Sequence, residues 1–122
     1  MGLFSRKQSG SKLNWEMISS EQDLRNVMEN TSVKPALFYK HSTRCSISSM
    51  ALNQLESEWE TAIESCNLYF IDLIAHRNVS NLLADLTGVP HQSPQAILVK
   101  NNEVLYDASH SSINAKNIEQ KL

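Results

Sequence analysis

Long apolar stretches are missing from this chain. No run approaches the roughly 18 consecutive apolar residues that a membrane-spanning helix needs. The first residues, MGLFSRKQSGSK, are basic but lack the apolar stretch of a secretory signal, and Arg6 stands where a myristoylation motif has Ser or Thr. We therefore expect no membrane association.

The chain also has few cysteines and no excess of basic over acidic residues. The only cysteines are Cys45 and Cys66. In a chain without an export signal, two cysteines indicate the reducing cytoplasm, where thiols stay free unless they have a chemical function. Residues 1–12 hold three of the 11 Lys and Arg, so the remainder carries 8 basic against 13 acidic residues. Such a domain lacks the basic face that phosphate contacts require, which argues against nucleic acid as a partner.

Hydrophobic periodicity and turn residues divide the chain into a tail and one domain. We predict a flexible tail over residues 1–13 and a single domain over residues 14–122. Short apolar runs predict strands, and apolar residues three or four apart predict helices. The predicted strands cover residues 14–19, 36–40, 67–74, 95–100 and 103–108. Four helices are predicted: one that follows Ser19 or Ser20, one that begins at Cys45, one over residues 78–86 and one from residue 112 to the end. The helix that begins at Cys45 has an apolar stripe formed by Ile47, Ala51, Leu55, Trp59 and Ile63.

The resulting order, β-α-β-α-β-α-β-β-α, predicts an α/β fold. A central mixed five-stranded sheet would have helices on both faces, with a final hairpin at Asn101-Asn102. Ligands of such sheets bind beyond the carboxyl ends of the strands. The first strong strand leads directly into HSTRCSIS, residues 41–48, so we expect Cys45 to lie at that edge.

Cys45 has the sequence surroundings of a reactive thiol. A helix N-terminus and cationic neighbours both lower the pKa of a thiol, and Cys45 opens a predicted helix with Arg44 beside it and Lys40 and His41 just upstream. Ser48 lies one helical turn further on and can donate a hydrogen bond to the thiolate. A buried structural cysteine is the alternative, but the nearest neighbours are polar rather than apolar.

Two further residues leave alternatives open. Cys66 precedes a strand and lacks a close cationic neighbour, so it reads as structural filler or as a resolving thiol for Cys45. Pro94 precedes another strand, where it is either a simple boundary or a cis-proline in a tight turn. His91, in the same loop, is either a surface residue or a proton-handling neighbour of the thiol.

The element order with Cys45 at the second helix resembles the thioredoxin fold. More narrowly, FYKHSTRCSIS and HQSPQAILV resemble the monothiol bacilliredoxins, the YtxJ-like branch of that superfamily. The resemblance spans residues 14–122 and implies that Cys45 is the catalytic nucleophile and that Pro94, after Ser93, is a cis-proline facing it. The family often has Pro after the cysteine; here Ser46 adds a hydroxyl beside the thiolate instead.

The resemblance also implies a reaction, in which bacillithiol is the co-substrate and no cofactor stays bound. Cys45 would remove bacillithiol from client proteins, and a second bacillithiol, another redoxin or Cys66 would restore it. The spacing of Cys45 and Ser48 cannot close an internal disulfide. Lys40 and Arg44 are candidates for binding the carboxylates of the small thiol.

Two other functions are weighed against this one. The first is a non-catalytic thioredoxin-fold protein that senses oxidative stress through reversible modification of Cys45. The second is an iron–sulfur or metal module, which the chain disfavours because Cys45 supplies a single thiolate and forms no zinc pattern with His41 and Cys66. We therefore predict no metal site.

Overall fold

The fold follows the predicted order of elements. A computed structural model describes residues 13, 15–42, 46–59 and 65–122. The strands are β1 (Glu16–Met17), β2 (Ala36–His41), β3 (Asn67–Asp72), β4 (Gln95–Lys100) and β5 (Glu103–Ser109). The helices are α1 (Glu21–Asn30), α2 (Ser46–Glu58), α3 (Arg77–Thr87) and α4 (Ala115–Glu119), with a 3₁₀ turn at His110–Ser112 between β5 and α4.

The five strands form one mixed sheet in the order β1-β3-β2-β4-β5. β3 runs parallel to both β1 and β2, whereas β4 is antiparallel to β2 and to β5. The pairing of Lys40 with Gln95 brings the carboxyl end of β2 beside the amino end of β4. The predicted α/β class and mixed five-stranded sheet are confirmed. The end of β2 and the loop that leads into β4 lie side by side at this edge.

Apolar residues on alternate positions of the strands build a core on each face of the sheet. Leu37 and Tyr39 of β2 pack on the face covered by α2 and α4, and Ala36 and Phe38 pack on the face covered by α1 and α3. β2 is buried along its whole length because it is the central strand. A polar side chain on β2 therefore enters a dry environment, which matters for Lys40 and His41.

Local signals set several boundaries as predicted. Of the two candidate caps, Ser20 caps α1 by accepting a hydrogen bond from the Asp23 N–H. Gly88 ends α3 with a left-handed φ of 75°. Asn101 and Asn102 join β4 to β5 with φ of 52° and 62°, as a hairpin turn of this kind requires.

Several boundaries differ from the predictions, among them the end of β3, which is Asp72 instead of residue 74. β1 is only Glu16–Met17, because it pairs with β3 alone over two residues. α4 begins at Ala115 instead of near 112, because Asn114 caps it with its own side chain. Of the predicted tail, residues 1–12 lie outside the described residues, whereas Leu13 is buried against the core on the α2 side.

The buried face of α2 is also different from the predicted stripe. Ile47 is 53% exposed, and the side chains that point inward are Ser48, Leu52, Leu55 and Glu56. The prediction considered apolar residues alone and so did not include Ser48 and Glu56. These two polar side chains are buried because each has a hydrogen-bond partner. Trp59 is partly buried against the core, as predicted, and Ile63 lies outside the described residues. In the described part of the chain, no helix is long and apolar enough to cross a membrane.

Candidate functional site at the carboxyl end of β2

The site lies where β2 ends, α2 begins and β4 begins. The Ser93–Pro94 peptide bond is cis, as the resemblance implies, and the Pro94 carbonyl accepts a hydrogen bond from the His110 N–H at 3.0 Å. α2 begins at Ser46, the residue that follows Cys45 in the chain. Cys45 and Arg44 lie outside the described residues, so their predicted roles, and the predicted approach of Pro94 to Cys45, stay predictions.

Ser48 fastens the first turn of α2 to the end of β2. Its hydroxyl oxygen lies 2.6 Å from Nδ1 of His41 and accepts a hydrogen bond from the Ser42 N–H at 3.2 Å. Its carbonyl oxygen accepts a hydrogen bond from the Tyr39 hydroxyl at 2.8 Å. These bonds hold the end of β2 against the first turn of α2, and Cys45 lies between these two elements in sequence. Ser48 is fully buried, and its predicted hydrogen bond to the thiolate stays a prediction.

His41 lies in strand β2 rather than in a loop, and it is almost completely buried. Burial lowers its pKa, and the charge of Asp72, its register partner on β3, opposes that effect only in part. The imidazole is therefore neutral at neutral pH. His41 was expected to stabilise the thiolate as a cationic neighbour, and its burial argues against a charged imidazole.

Lys40 also lies in β2 and points to the opposite face of the sheet. Its side chain is fully buried, and Nζ donates a hydrogen bond to Nδ1 of His91 at 3.3 Å. Nδ1 of His91 also lies 3.1 Å from the Ser80 hydroxyl oxygen on α3. Burial, with a smaller effect from the charge of Arg77, lowers the pKa of Lys40 to about 8. Its role in binding a carboxylate stays a prediction, and its burial argues against that role.

His91 joins the loop before β4 to this buried lysine. Burial, together with the charges of Lys40 and Arg77, lowers the pKa of His91, so its Nδ1 is available as an acceptor. Neither periodicity nor motif spacing indicated this contact, since Lys40 and His91 are far apart in the sequence. Two buried acceptors flank Pro94 without a hydrogen-bond partner, the hydroxyl oxygen of Ser93 and Oε1 of Gln95.

Cys66 lacks the exposure and the lowered pKa of a reactive thiol. It is buried, its Sγ–H donates to the Asn67 carbonyl, and burial raises its pKa to about 12. It adjoins the amino end of β3, whereas the β2–α2 connection lies at the carboxyl end of β2, about 20 Å away at the rise of a strand. A disulfide needs Cα atoms within about 7 Å. The resolving role is untested, and these features argue for structural filler.

An apolar concavity lies beside the first turns of α2. Ile47 and Met50 are both largely exposed there. The concavity is lined by Ile47, Met50, Ala51, Gln54, His110, Ser111 and Ile113. No group of three or more His, Cys, Asp or Glu that could hold a metal occurs among the described residues, a set that excludes Cys45. Ser46 is exposed, and its effect on the thiolate stays a prediction.

Comparisons with known proteins agree with this architecture. A family model described as monothiol bacilliredoxin BrxC matches residues 16–118. A solved structure described as an oxidoreductase with a thioredoxin fold is 28% identical and has a TM-score of 0.72, with 86% of this chain and 90% of that chain covered.

Two thioredoxins share the fold at lower identity. The thioredoxin of Malassezia sympodialis is 14% identical, has a TM-score of 0.65, and is matched over 85% of this chain and 84% of its own. The thioredoxin of Trypanosoma brucei brucei is 12% identical, has a TM-score of 0.63, and is matched over 95% of this chain and 94% of its own. These two likenesses show the fold alone.

Proposed function

The chain belongs to the monothiol bacilliredoxin family, which supports a thiol redox role, and we propose that it removes bacillithiol from protein mixed disulfides. The nucleophile is Cys45. The observation that carries this proposal is that Ser48 holds the first turn of α2 at the carboxyl end of β2, where Cys45 lies between the two elements in sequence. Loops at this edge of an α/β sheet are where such folds place their ligands, and the loop before β4 lies alongside.

The monothiol character follows from what occupies the position three residues after Cys45. Ser48 has a hydroxyl there and cannot form a disulfide. The other thiol of the chain, Cys66, is buried with a raised pKa at the amino end of β3. A mixed disulfide on Cys45 is therefore resolved by a thiol from outside the chain.

The reaction consists of two thiol–disulfide exchanges. In the first, the Cys45 thiolate attacks the bacillithiol sulfur of the client's mixed disulfide. A new S–S bond joins Cys45 to bacillithiol, and the client leaves as a thiolate that takes a proton from solvent. In the second, the thiolate of another bacillithiol attacks the same bacillithiol sulfur, so that bacillithiol disulfide forms and the Cys45 thiolate is restored. A second redoxin can replace bacillithiol in this step.

The residues around the loop suggest how the small thiol is held. Arg44 is adjacent to Cys45 in sequence and can pair with a carboxylate of bacillithiol. The N–H groups beside Pro94 are further candidate donors. We expect bacillithiol to act as a co-substrate without a bound cofactor, the clients to be bacillithiolated proteins, and the site of action to be the cytoplasm.

Mass spectrometry of adduct transfer tests the proposal. Wild type, Cys45→Ser and Cys66→Ser are each incubated with a bacillithiolated model protein, and a glutathionylated copy of that protein serves as the matched control. We expect one bacillithiol adduct on wild type and on Cys66→Ser, and none on Cys45→Ser.

The other outcomes are equally informative. Equal transfer from the glutathionylated control would contradict the preference for bacillithiol but keep the monothiol exchange. If wild type accepts no adduct while Cys45 still reacts readily with an alkylating agent, exchange is excluded and reversible modification of Cys45 as a sensor becomes the better account.

A further inference from the structure

One imidazole connects the middle of the loop between α3 and β4, residues 88–94, to two other elements of the fold. Nδ1 of His91 lies 3.3 Å from Nζ of Lys40 on β2 and 3.1 Å from the Ser80 hydroxyl oxygen on α3. Both partners are fully buried, whereas His91 is only partly buried. The ring therefore lies between a dry polar group and solvent, from which it can take a proton.

Two backbone contacts hold the same loop on either side of this histidine. The Pro90 carbonyl accepts a hydrogen bond from Nε2 of Gln95 at 3.0 Å, and the Pro94 carbonyl accepts one from the His110 N–H at 3.0 Å. In the part of the chain that the structure describes, His91 has the only side chain of the loop that hydrogen-bonds to β2 or to α3. The position of the segment between the two prolines against these elements therefore depends on the state of the imidazole.

Protonation of the imidazole is compatible with only one of its two partners. A bare Nδ1 has one lone pair and accepts from Lys40, whose ammonium group has donors and no lone pair. Once Nδ1 carries a proton, two donors and two positive charges face each other across the same 3.3 Å. The Ser80 hydroxyl can reverse its role and accept from the ring. Protonation of His91 therefore breaks the contact with β2 and leaves the contact with α3 possible.

The charged groups around the ring oppose its protonation. Burial, and then the charges of Lys40 on β2 and Arg77 on α3, lower the pKa of His91. Burial and the same Arg77 bring the pKa of Lys40 to about 8, so the lysine keeps its charge throughout the range in which a histidine titrates. Gln95, the register partner of Lys40 on β4, is uncharged. Among the described residues, no carboxylate is one of the groups that act on the ring.

We propose that the contact between Lys40 and His91 is an acid-sensitive attachment of the loop before β4, which breaks when His91 takes a proton and releases the ring toward solvent. The segment between Pro90 and Pro94 then moves with the ring. This loop borders the carboxyl end of β2, the edge of the sheet at which the candidate site lies. Acidification therefore changes the shape of that edge. The inference goes beyond the proposed function and depends on neither Cys45 nor bacillithiol.

NMR of the full chain between pH 5 and 7.5 tests the proposal. At pH 7.5 we expect a proton–proton NOE between Hε1 of His91 and the Hε protons of Lys40, because Nδ1 and Nζ are 3.3 Å apart. This NOE should disappear as His91 titrates, with a pKa below 6.5. The nitrogen-15 heteronuclear NOE of the amides over residues 91–93, which reports picosecond to nanosecond motion, should fall in parallel. A contact that persists after His91 is protonated would overturn the proposal.

Three variants separate the charge of Lys40 from a general effect of acid. Lys40→Met removes the charge that faces the ring, so the pKa of His91 should rise toward 6.5 and the loop should be equally ordered at pH 5 and 7.5. Lys100→Met removes a charge at the exposed end of β4 and should titrate like wild type. His91→Gln keeps an acceptor for Lys40 but takes no proton, so its loop should stay ordered. Equal loss of loop order at pH 5 in wild type and Lys40→Met would overturn the proposal.

Discussion

Nζ of Lys40 donates a hydrogen bond to Nδ1 of His91 at 3.3 Å, across 51 positions of sequence. The bond joins the central strand to the loop that leads into Pro94. A fully buried ammonium group is unusual when its partner is a neutral imidazole, because burial penalises the charged form and a carboxylate would offset that penalty. Lys40 therefore occupies a core position that an apolar residue of similar size would fill at a lower cost in free energy.

Replacing this lysine should stabilise the protein at neutral pH. The pKa of Lys40 falls from 10.5 to about 8 on folding, so the unfolded chain binds more protons between these values. Stability from this group therefore rises with pH across that window. Lys40→Met should raise the free energy of unfolding at pH 7 by about 2 kcal/mol, less than the full shift implies because water screens part of the charge. The Ser80 hydroxyl remains as a partner for His91.

Urea unfolding of both proteins at pH 7, 8.5 and 10 measures this effect. The advantage of Lys40→Met should shrink as pH rises, since wild-type Lys40 deprotonates. Lys100→Met, at the exposed end of β4, is the matched control and should change stability little at any of these pH values. A loss of stability in Lys40→Met at pH 7 would show that the hydrogen bond to His91 outweighs the cost of burying the charge.

A second buried hydrogen bond should carry more of the stability of the fold. Nε1 of Trp15 donates to Oε2 of Glu56 at 2.7 Å and thereby joins the start of the domain to α2. Trp15→Phe removes the donor and leaves a space in the core, so we expect a loss of about 3 kcal/mol in the free energy of unfolding. Glu56→Gln keeps an acceptor of the same shape and should cost less than half as much. Similar losses in the two variants, measured by urea unfolding, would contradict the assignment to the hydrogen bond.

The third stability prediction concerns the N-cap of α1, for which two adjacent serines should have different effects. Ser20 accepts a hydrogen bond from the Asp23 N–H, whereas Ser19 is exposed. Ser20→Ala should lower the free energy of unfolding by about 1 kcal/mol, the usual effect of losing a helix N-cap. Ser19→Ala removes the same atom one residue earlier and should leave stability unchanged, which thermal unfolding of the two variants can decide.

The pattern of apolar residues was sufficient to predict most of the fold. β2, β4 and the bounds of α1 follow from local signals, because short apolar runs and caps act over a few residues. The inward face of α2 could not be read in this way. Ser48 and Glu56 are buried through hydrogen bonds to His41, 7 positions earlier, and to Trp15, 41 positions earlier, and the pattern of apolar residues cannot represent such polar pairs.

Contacts formed only in the folded chain also explain why the burial of two site residues was not predicted. Lys40, at the end of the predicted strand 36–40, and His41, just after it, were expected to be cationic neighbours of Cys45, since charged residues are seldom buried. In the fold both are buried, and desolvation lowers the pKa of each. His41 is therefore neutral at neutral pH, whereas Lys40 keeps most of its charge but points to the opposite face of the sheet. The cis bond before Pro94 was expected from family resemblance, whereas its proline alone left the question open.

The last prediction concerns Cys66, the thiol to which we assign a structural role. Burial raises the pKa of Cys66 from 9.0 to about 12. At pH 9 the thiolate fraction alone should therefore make the folded Cys45→Ser variant react with an aromatic disulfide reagent roughly 500-fold more slowly than the urea-unfolded chain. The folded Cys66→Ser variant, which retains Cys45, is the matched control and should react rapidly. Because the raised pKa comes from burial, the slow reaction of Cys66 should persist until the protein unfolds. Rapid labelling of folded Cys45→Ser would instead identify an accessible thiolate and restore Cys66 as a candidate resolving thiol.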